Sequence, residues 1–206
     1  MSTFFQSRMF RNLTIIFAIV GLFFFVINSY NRLVSLNEQV EEQWSQVRTA
    51  YQRRFDLIPN LVETVKGSAD FEKSTLENVI NARSKVGSIN INSDMINDPE
   101  KMRAFEQAQN NFQGALSRLM VVVEKYPDLK TTQQFSDLMI QLEGTENRIN
   151  VERRKFNEVV KDYNVRIKRF PGNIFASLFG FDQKAYFEGD SANEQAPSVG
   201  NMFKDK

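Results

Sequence analysis

Residues 131–170 read TTQQFSDLMIQLEGTENRINVERRKFNEVVKDYNVRIKRF. Phe135, Leu142, Ile149, Phe156, Tyr163 and Phe170 recur in it every seven residues, and no proline interrupts them. A seven-residue apolar repeat holds one face of a helix against a neighbour and implies left-handed, coiled-coil-like packing. The spacing predicts a helix over residues 131–169 with a single apolar seam that other helices must cover.

Upstream, prolines punctuate the same pattern. Tyr126-Pro127-Asp128 precedes this helix, and Asp98-Pro99-Glu100 opens another over 99–125. There an acid caps the first turn, proline takes the first helical position, and a second acid lies near the positive helix end. That helix is expected to bury Met102, Phe105, Phe112, Leu116, Leu119 and Val123. Residues 87–98 read as a polar loop. Before it, Leu33, Val40, Trp44, Val47, Tyr51 and Phe55 mark a helix over 31–55, and Ile58, Leu61, Val65, Ala69, Leu76, Val79 and Val86 mark one over 57–86. Pro59 fits either the first turn of the second helix or a kink in one continuous helix, and a turn at Asp56–Pro59 is favoured. The isolated Gly67, Gly114 and Gly144 read as points of close helix approach.

The N-terminus has a different character. Leu13–Ile27 is apolar apart from Thr14, Ala18 and Gly21, with Arg8 and Arg11 before it and no acid among residues 1–29. Leu13, Ile16, Phe17, Val20, Phe23, Phe24 and Ile27 are apolar all round the helix rather than on one stripe, as a membrane span requires. Fifteen residues cover roughly 22 Å of a hydrocarbon core about 30 Å thick, so snorkelling arginines and the interfacial Tyr30 must supply the rest. No small-residue cleavage site follows, which favours an uncleaved signal anchor. Arg8 and Arg11 before the span, against Arg32 alone close behind it, place the N-terminus in the cytoplasm and the main domain outside. The fold class expected is therefore all-α: a transmembrane helix in residues 1–29, an antiparallel four-helix bundle with long helices and a short C-terminal amphipathic segment in 30–187, and a disordered tail in 188–206.

The chain has neither cysteine nor histidine, which removes thiol nucleophiles, Ser-His-Asp relays, disulfides and the usual zinc ligands. Glu143 and Glu146 have the spacing of a di-iron carboxylate motif without its histidine. With 26 basic and 25 acidic residues there is no global field to attract nucleic acid. No cofactor, metal, catalytic residue or small-molecule substrate is expected.

Two charged groupings stand out. Arg54, Glu72, Arg83, Glu146 and Arg153 project on or beside the apolar seam, either as edge residues laying their stems over the core or as a partly buried ionic network that fixes register. At the end of the last helix, Arg166, Lys168 and Arg169 precede Phe175, Phe179 and Phe181. If the bundle alternates in direction, this end returns to the bilayer. Its aromatics then close the core or meet the membrane or a neighbouring subunit.

The stretches Tyr30–Val34, Trp44–Val47 and Gln52–Val62, with Val65-Lys66-Gly67, Ala82-Arg83, Tyr126–Lys130, Thr145–Ile149, Arg153, Phe156-Asn157, Tyr163-Asn164 and Phe170-Pro171, resemble the LemA family of bacterial membrane proteins. The resemblance covers residues 30–187 and implies an N-terminal anchor followed by an antiparallel helical bundle. It brings no established enzymatic activity and no catalytic residues. Its matched positions include Arg54, Arg83, Glu146 and Arg153. The functional expectation is a non-enzymatic scaffold of the bacterial inner membrane, contacting lipid and copies of itself. The alternative is an accessory subunit for another envelope protein such as a protease or transporter.

Overall fold

The computed structural model describes residues 2–68 and 71–188, with residues 2–11 as backbone alone; Ala69 and the tail from residue 189 lie outside the described residues. The described chain is all-α. Helix α1 (Ser2–Lys66) leads without a break from the N-terminus through the whole domain. It is followed by α2 (Lys73–Gly87), a 3-10 turn (Ser93–Asn97), α3 (Pro99–Val123), the single turn α4 (Pro127–Lys130), α5 (Gln133–Lys168) and α6 (Gly172–Phe179).

The expected turn at Asp56–Pro59 is absent, because α1 passes straight through Pro59. Proline has no N–H to give the carbonyl of residue i−4, here Phe55, so a continuous helix leaves that oxygen short of a donor. Arg83 on α2 supplies one: its Nε donates to Phe55 O at 3.3 Å, while its guanidinium lies 3.8 Å from the centre of the Phe55 ring. The helix survives its proline because a neighbouring helix repairs the break. The chain reverses after Lys66 instead, where Gly67 N still reaches Glu63 O.

The start of α3 follows its sequence signal: the Asp98 side chain accepts from Glu100 N and Lys101 N at 3.0 and 3.2 Å, with Pro99 behind it. Phe135, Leu142, Ile149, Phe156 and Tyr163 are all buried along α5, but the sixth heptad position, Phe170, lies beyond the helix end and is 80% exposed. Gly114 and Gly144 are not close-approach points, since a Cβ at either would meet open space. Gly172 is one: a Cβ there would fall 2.2 Å from Arg166 O, so only glycine lets α6 fold back this tightly on the end of α5.

Helix α1 packs closest to α5, and α2 to α3. The core forms two clusters stacked along the bundle. One joins Leu33–Tyr51 of α1 to Met102 and Phe105 of α3, Ile149–Ile167 of α5, and Phe175 of α6. The other joins Ile58–Val65 to α2, to Phe112–Val123 of α3, and to Phe135 and Leu142. Helix α2 lines only the second cluster, together with α1, α3 and α5. Around the first, α2 is replaced by the 87–98 segment, whose Met95 and Ile96 are buried rather than part of a polar loop, and by the extended C-terminal strap Phe181–Glu188.

Candidate functional site

Between the two apolar clusters lies a polar layer. Tyr51 and Ile58 of α1 belong to opposite clusters, as do Phe105 and Phe112 of α3 and Ile149 and Leu142 of α5. Arg54, Gln109 and Glu146 occupy the level between them. Arg54, only 3% exposed, donates from Nη1 to Glu146 Oε2 at 2.6 Å and to Gln113 Oε1 at 3.0 Å, and from Nη2 to the Gln109 side chain. Its guanidinium sits 5.3 and 5.4 Å from the ring centres of Tyr51 and Phe112. One arginine thus ties α1, α3 and α5 together. Burial pushes the Tyr51 hydroxyl up to about 12, with Arg153 and Arg54 pulling it partly back.

The other seam charges do not join this layer directly. Arg153 bonds Glu106 at 2.9 Å and lies 4.8 Å from the centre of the Phe187 ring. Arg83 serves Phe55, and Glu72 is exposed beside Ser74, which donates to it at 2.8 Å. Glu152, which the seam pattern does not single out, belongs with the buried charges. It is 2% exposed and accepts from Gln43 Nε2 at 2.7 Å. Burial alone would push its carboxyl up. The Gln43 bond, with Lys155 and Arg148 alongside, outweighs this and holds it below the usual range.

The strap is a second feature that the sequence hid. It runs antiparallel to α5, held by two asparagines seven residues apart. Asn157 donates to Phe187 O and accepts from Phe187 N; Asn164 does the same with Lys184, all at 2.9–3.0 Å. A primary amide presents a donor and an acceptor side by side and so imitates the edge of a β-strand. Ala185 N completes the attachment on Ile96 O at 2.8 Å, and Tyr163 donates to Asp182 O at 2.9 Å. Lys184 reaches Asn97 at 2.7 Å, and burial lowers its pKa. The available signal was the repeated aromatic-Asn pair, Phe156-Asn157 and Tyr163-Asn164.

At the end where α5 returns, α6 packs against the last turns of the apolar run. Phe175 meets the Phe25 ring at 5.8 Å between centres, and Tyr30 meets Phe179 at 4.9 Å and Phe181 at 6.0 Å. Phe175 is buried, Phe181 half-buried and Phe179 partly exposed. Along Leu13–Ile27 the side chains Leu13, Ile16, Phe17, Val20, Phe23, Phe24 and Ile27 are all exposed, on a helix long and apolar enough to cross a membrane.

A family model for the LemA family matches residues 43–200, from the core tryptophan region through α6 and the strap. This chain belongs to the LemA family. It is also similar to the magnetosome proteins MamQ 2 of Paramagnetospirillum magneticum and MamQ of Magnetospirillum gryphiswaldense, each 26% identical over 92% of this chain and 76% of the relative. The protein LemA of Metamycoplasma hominis is 24% identical over 82% of this chain and 74% of the relative. Family membership and the exposed apolar helix together point to a membrane protein. In this LemA-family chain the side-chain groupings with the most built geometry are an interhelical charge layer and an aromatic junction at the anchor.

Proposed function

We propose that the chain is a non-enzymatic, membrane-anchored scaffold that assembles with copies of itself at the bacterial inner membrane and supports or shapes it. The observation that carries this reading is the continuity of α1. The apolar span and the first bundle helix are one rod of 65 residues, roughly 98 Å long, with no linker between them. A tethered binding module needs a flexible joint, whereas a scaffold benefits from a fixed angle to its membrane. Val121 and Ile140, 68% and 66% exposed on α3 and α5, offer apolar residues for lateral contacts. The charged side chains serve register: Arg54 and Arg153 are spent on interhelical bonds. Similarity to proteins named for the magnetosome is in keeping with a structural role. Arg8 and Arg11 favour an extracytoplasmic domain.

The test is the mass of the full chain in mild detergent. A discrete multiple of the 23.9 kDa protomer is expected, and a monodisperse monomer overturns self-assembly. Co-purification of a different envelope protein at fixed stoichiometry would replace the scaffold by the accessory-subunit reading. A topology reporter fused after Lys206 checks sidedness.

A further inference from the structure

The junction between α6 and α1 has an outward face that the core does not use. Phe175 and Ala176 are buried, but Phe170, Ile174 and Leu178, spaced four apart, are 80%, 53% and 70% exposed. Ile174 and Leu178, one turn apart on α6, form an exposed apolar stripe, to which Phe170 adds a third group from the turn just before the helix. Its height is set by the contacts of α6 with Phe25 and Tyr30, positions separated by only about 7.5 Å along the helix axis. Phe25 belongs to the apolar run itself. The stripe therefore sits beside the final turns of the apolar run, level with the point where α1 leaves it.

Three cations flank it. Arg166, Lys168 and Arg169 end α5, and among the described residues none makes an ion pair, whereas Arg54, Arg103, Arg148 and Arg153 all do. The Arg166 Nε group is buried from solvent without a hydrogen-bond partner. Unpaired cations next to an exposed apolar stripe match the layered chemistry of a leaflet, with phosphates above acyl chains.

We propose that α6 is an interfacial foot: Phe170, Ile174 and Leu178 enter the headgroup–acyl boundary of the leaflet from which α1 emerges, and Arg166, Lys168 and Arg169 bind the phosphates of anionic lipids. This rests on the reading of α1 as a membrane span, and it accounts for the shortness of that span. The foot adds apolar surface at the end where the roughly 22 Å run of Leu13–Ile27 falls short of the hydrocarbon thickness.

The chain has no cysteine, so single labels can be placed without background. Full-length Leu178→Cys, Phe17→Cys and Ile140→Cys, each carrying an environment-sensitive fluorophore, are reconstituted in vesicles of phosphatidylcholine or of phosphatidylcholine with phosphatidylglycerol. Lipids spin-labelled at shallow or deep acyl positions serve as quenchers. The expected result is deep quenching at 17, shallow quenching at 178 and none at 140. Quenching at 178 should rise with phosphatidylglycerol. In a Leu178→Cys chain that also carries Arg166→Gln, Lys168→Gln and Arg169→Gln, the rise should vanish, with roughly a fivefold loss in the docked-to-undocked ratio per cation. Quenching at 17 without quenching at 178 overturns the foot while sparing the anchor. Absence at both positions overturns the anchor and the foot with it. Shielding of the 178 label from lipid, with the unlabelled Leu178→Cys chain forming a disulfide between copies on oxidation, assigns the stripe to a second subunit instead. Equal quenching with and without phosphatidylglycerol overturns the phosphate contact.

Discussion

The two halves of the bundle solve the same packing problem with different materials. The half away from the anchor is walled by four helices and filled mainly by aliphatic side chains: Ile58, Leu61, Val65, Leu76, Val79, Leu116 and Leu119. The anchor-side half lacks α2 and is richer in rings. Trp44 contacts Phe105, Phe156 and Phe187 at 5.4–6.2 Å between centres, and Tyr51 contacts Phe105 at 5.0 Å. Where a helix is missing, wide side chains span the gap, and their polar ends hold the irregular backbone that replaces it. Trp44 Nε1 donates to Asn92 O at 3.2 Å and Tyr163 to Asp182 O. Helix walls satisfy their own backbone groups; loop walls depend on the core to do it.

Cutting the layer that joins the halves should have the largest effect. Arg54→Ala is expected to cost about 3 kcal/mol in urea unfolding, because it removes the buried member of the pair and leaves Gln109 unsatisfied, while Glu146, 31% exposed, turns partly to solvent. Arg54→Met with Glu146→Leu should recover most of it. A Glu146→Leu chain with unchanged melting temperature and intact oligomers would sink the register role.

Alkali should then separate the halves. Tyr51 and Tyr163, both on the anchor side, have hydroxyls that burial raises to about 12. A raised folded-state pKa gives stability that is complete below the unfolded value near 10 and is lost as pH climbs through 12, about 2–3 kcal/mol for Tyr51. Hydrogen exchange between pH 10 and 12 should rise first on the anchor side, and Tyr51→Phe should lack its share of the loss. Uniform loosening would mean that the halves melt as one.

The strap offers a narrower cut. Asn164→Ala orphans the backbone N–H and C=O of Lys184 and should cost about 2 kcal/mol, with faster exchange over residues 181–188 and little change at α2. Arg83→Ala should cost about 1–2 kcal/mol, and about 1 kcal/mol less in a Pro59→Ala background, where the backbone donor is restored and only the contact with the Phe55 ring is lost. Equal costs in both backgrounds would break the account of how α1 crosses its proline. Smallest, and opposite in sign, Gly114→Ala and Gly144→Ala should each raise stability by about 0.5–1 kcal/mol, since both sites are open.

These contrasts explain what could be read from the sequence. Helical periodicity runs along the helices of both halves, so Met102 to Val123 and Phe135 to Tyr163 stand out by spacing alone. The anchor-side half adds walls of irregular backbone held by long-range polar bonds, such as Asn164 to Lys184 and Trp44 to Asn92, which leave no periodic trace. Pro59 misled for a related reason, because its repair comes from Arg83, 24 residues away in sequence. Arg54 and Glu146 were visible as misplaced charges, but Glu152 was hidden among the charged neighbours Arg153, Arg154 and Lys155, and its partner Gln43 is far upstream.

The unbroken passage of α1 from span to bundle has a mechanical consequence. A helix without a joint transmits rotation, so the azimuth of the anchor dictates which way Val121 and Ile140 point around the membrane normal. One residue inserted near Tyr30 would swing the whole bundle by about 100° while lifting it only about 1.5 Å. The heading is fixed relative to the faces of the chain's own anchor, so two copies whose anchors pair through one face would bring their bundles together in one register.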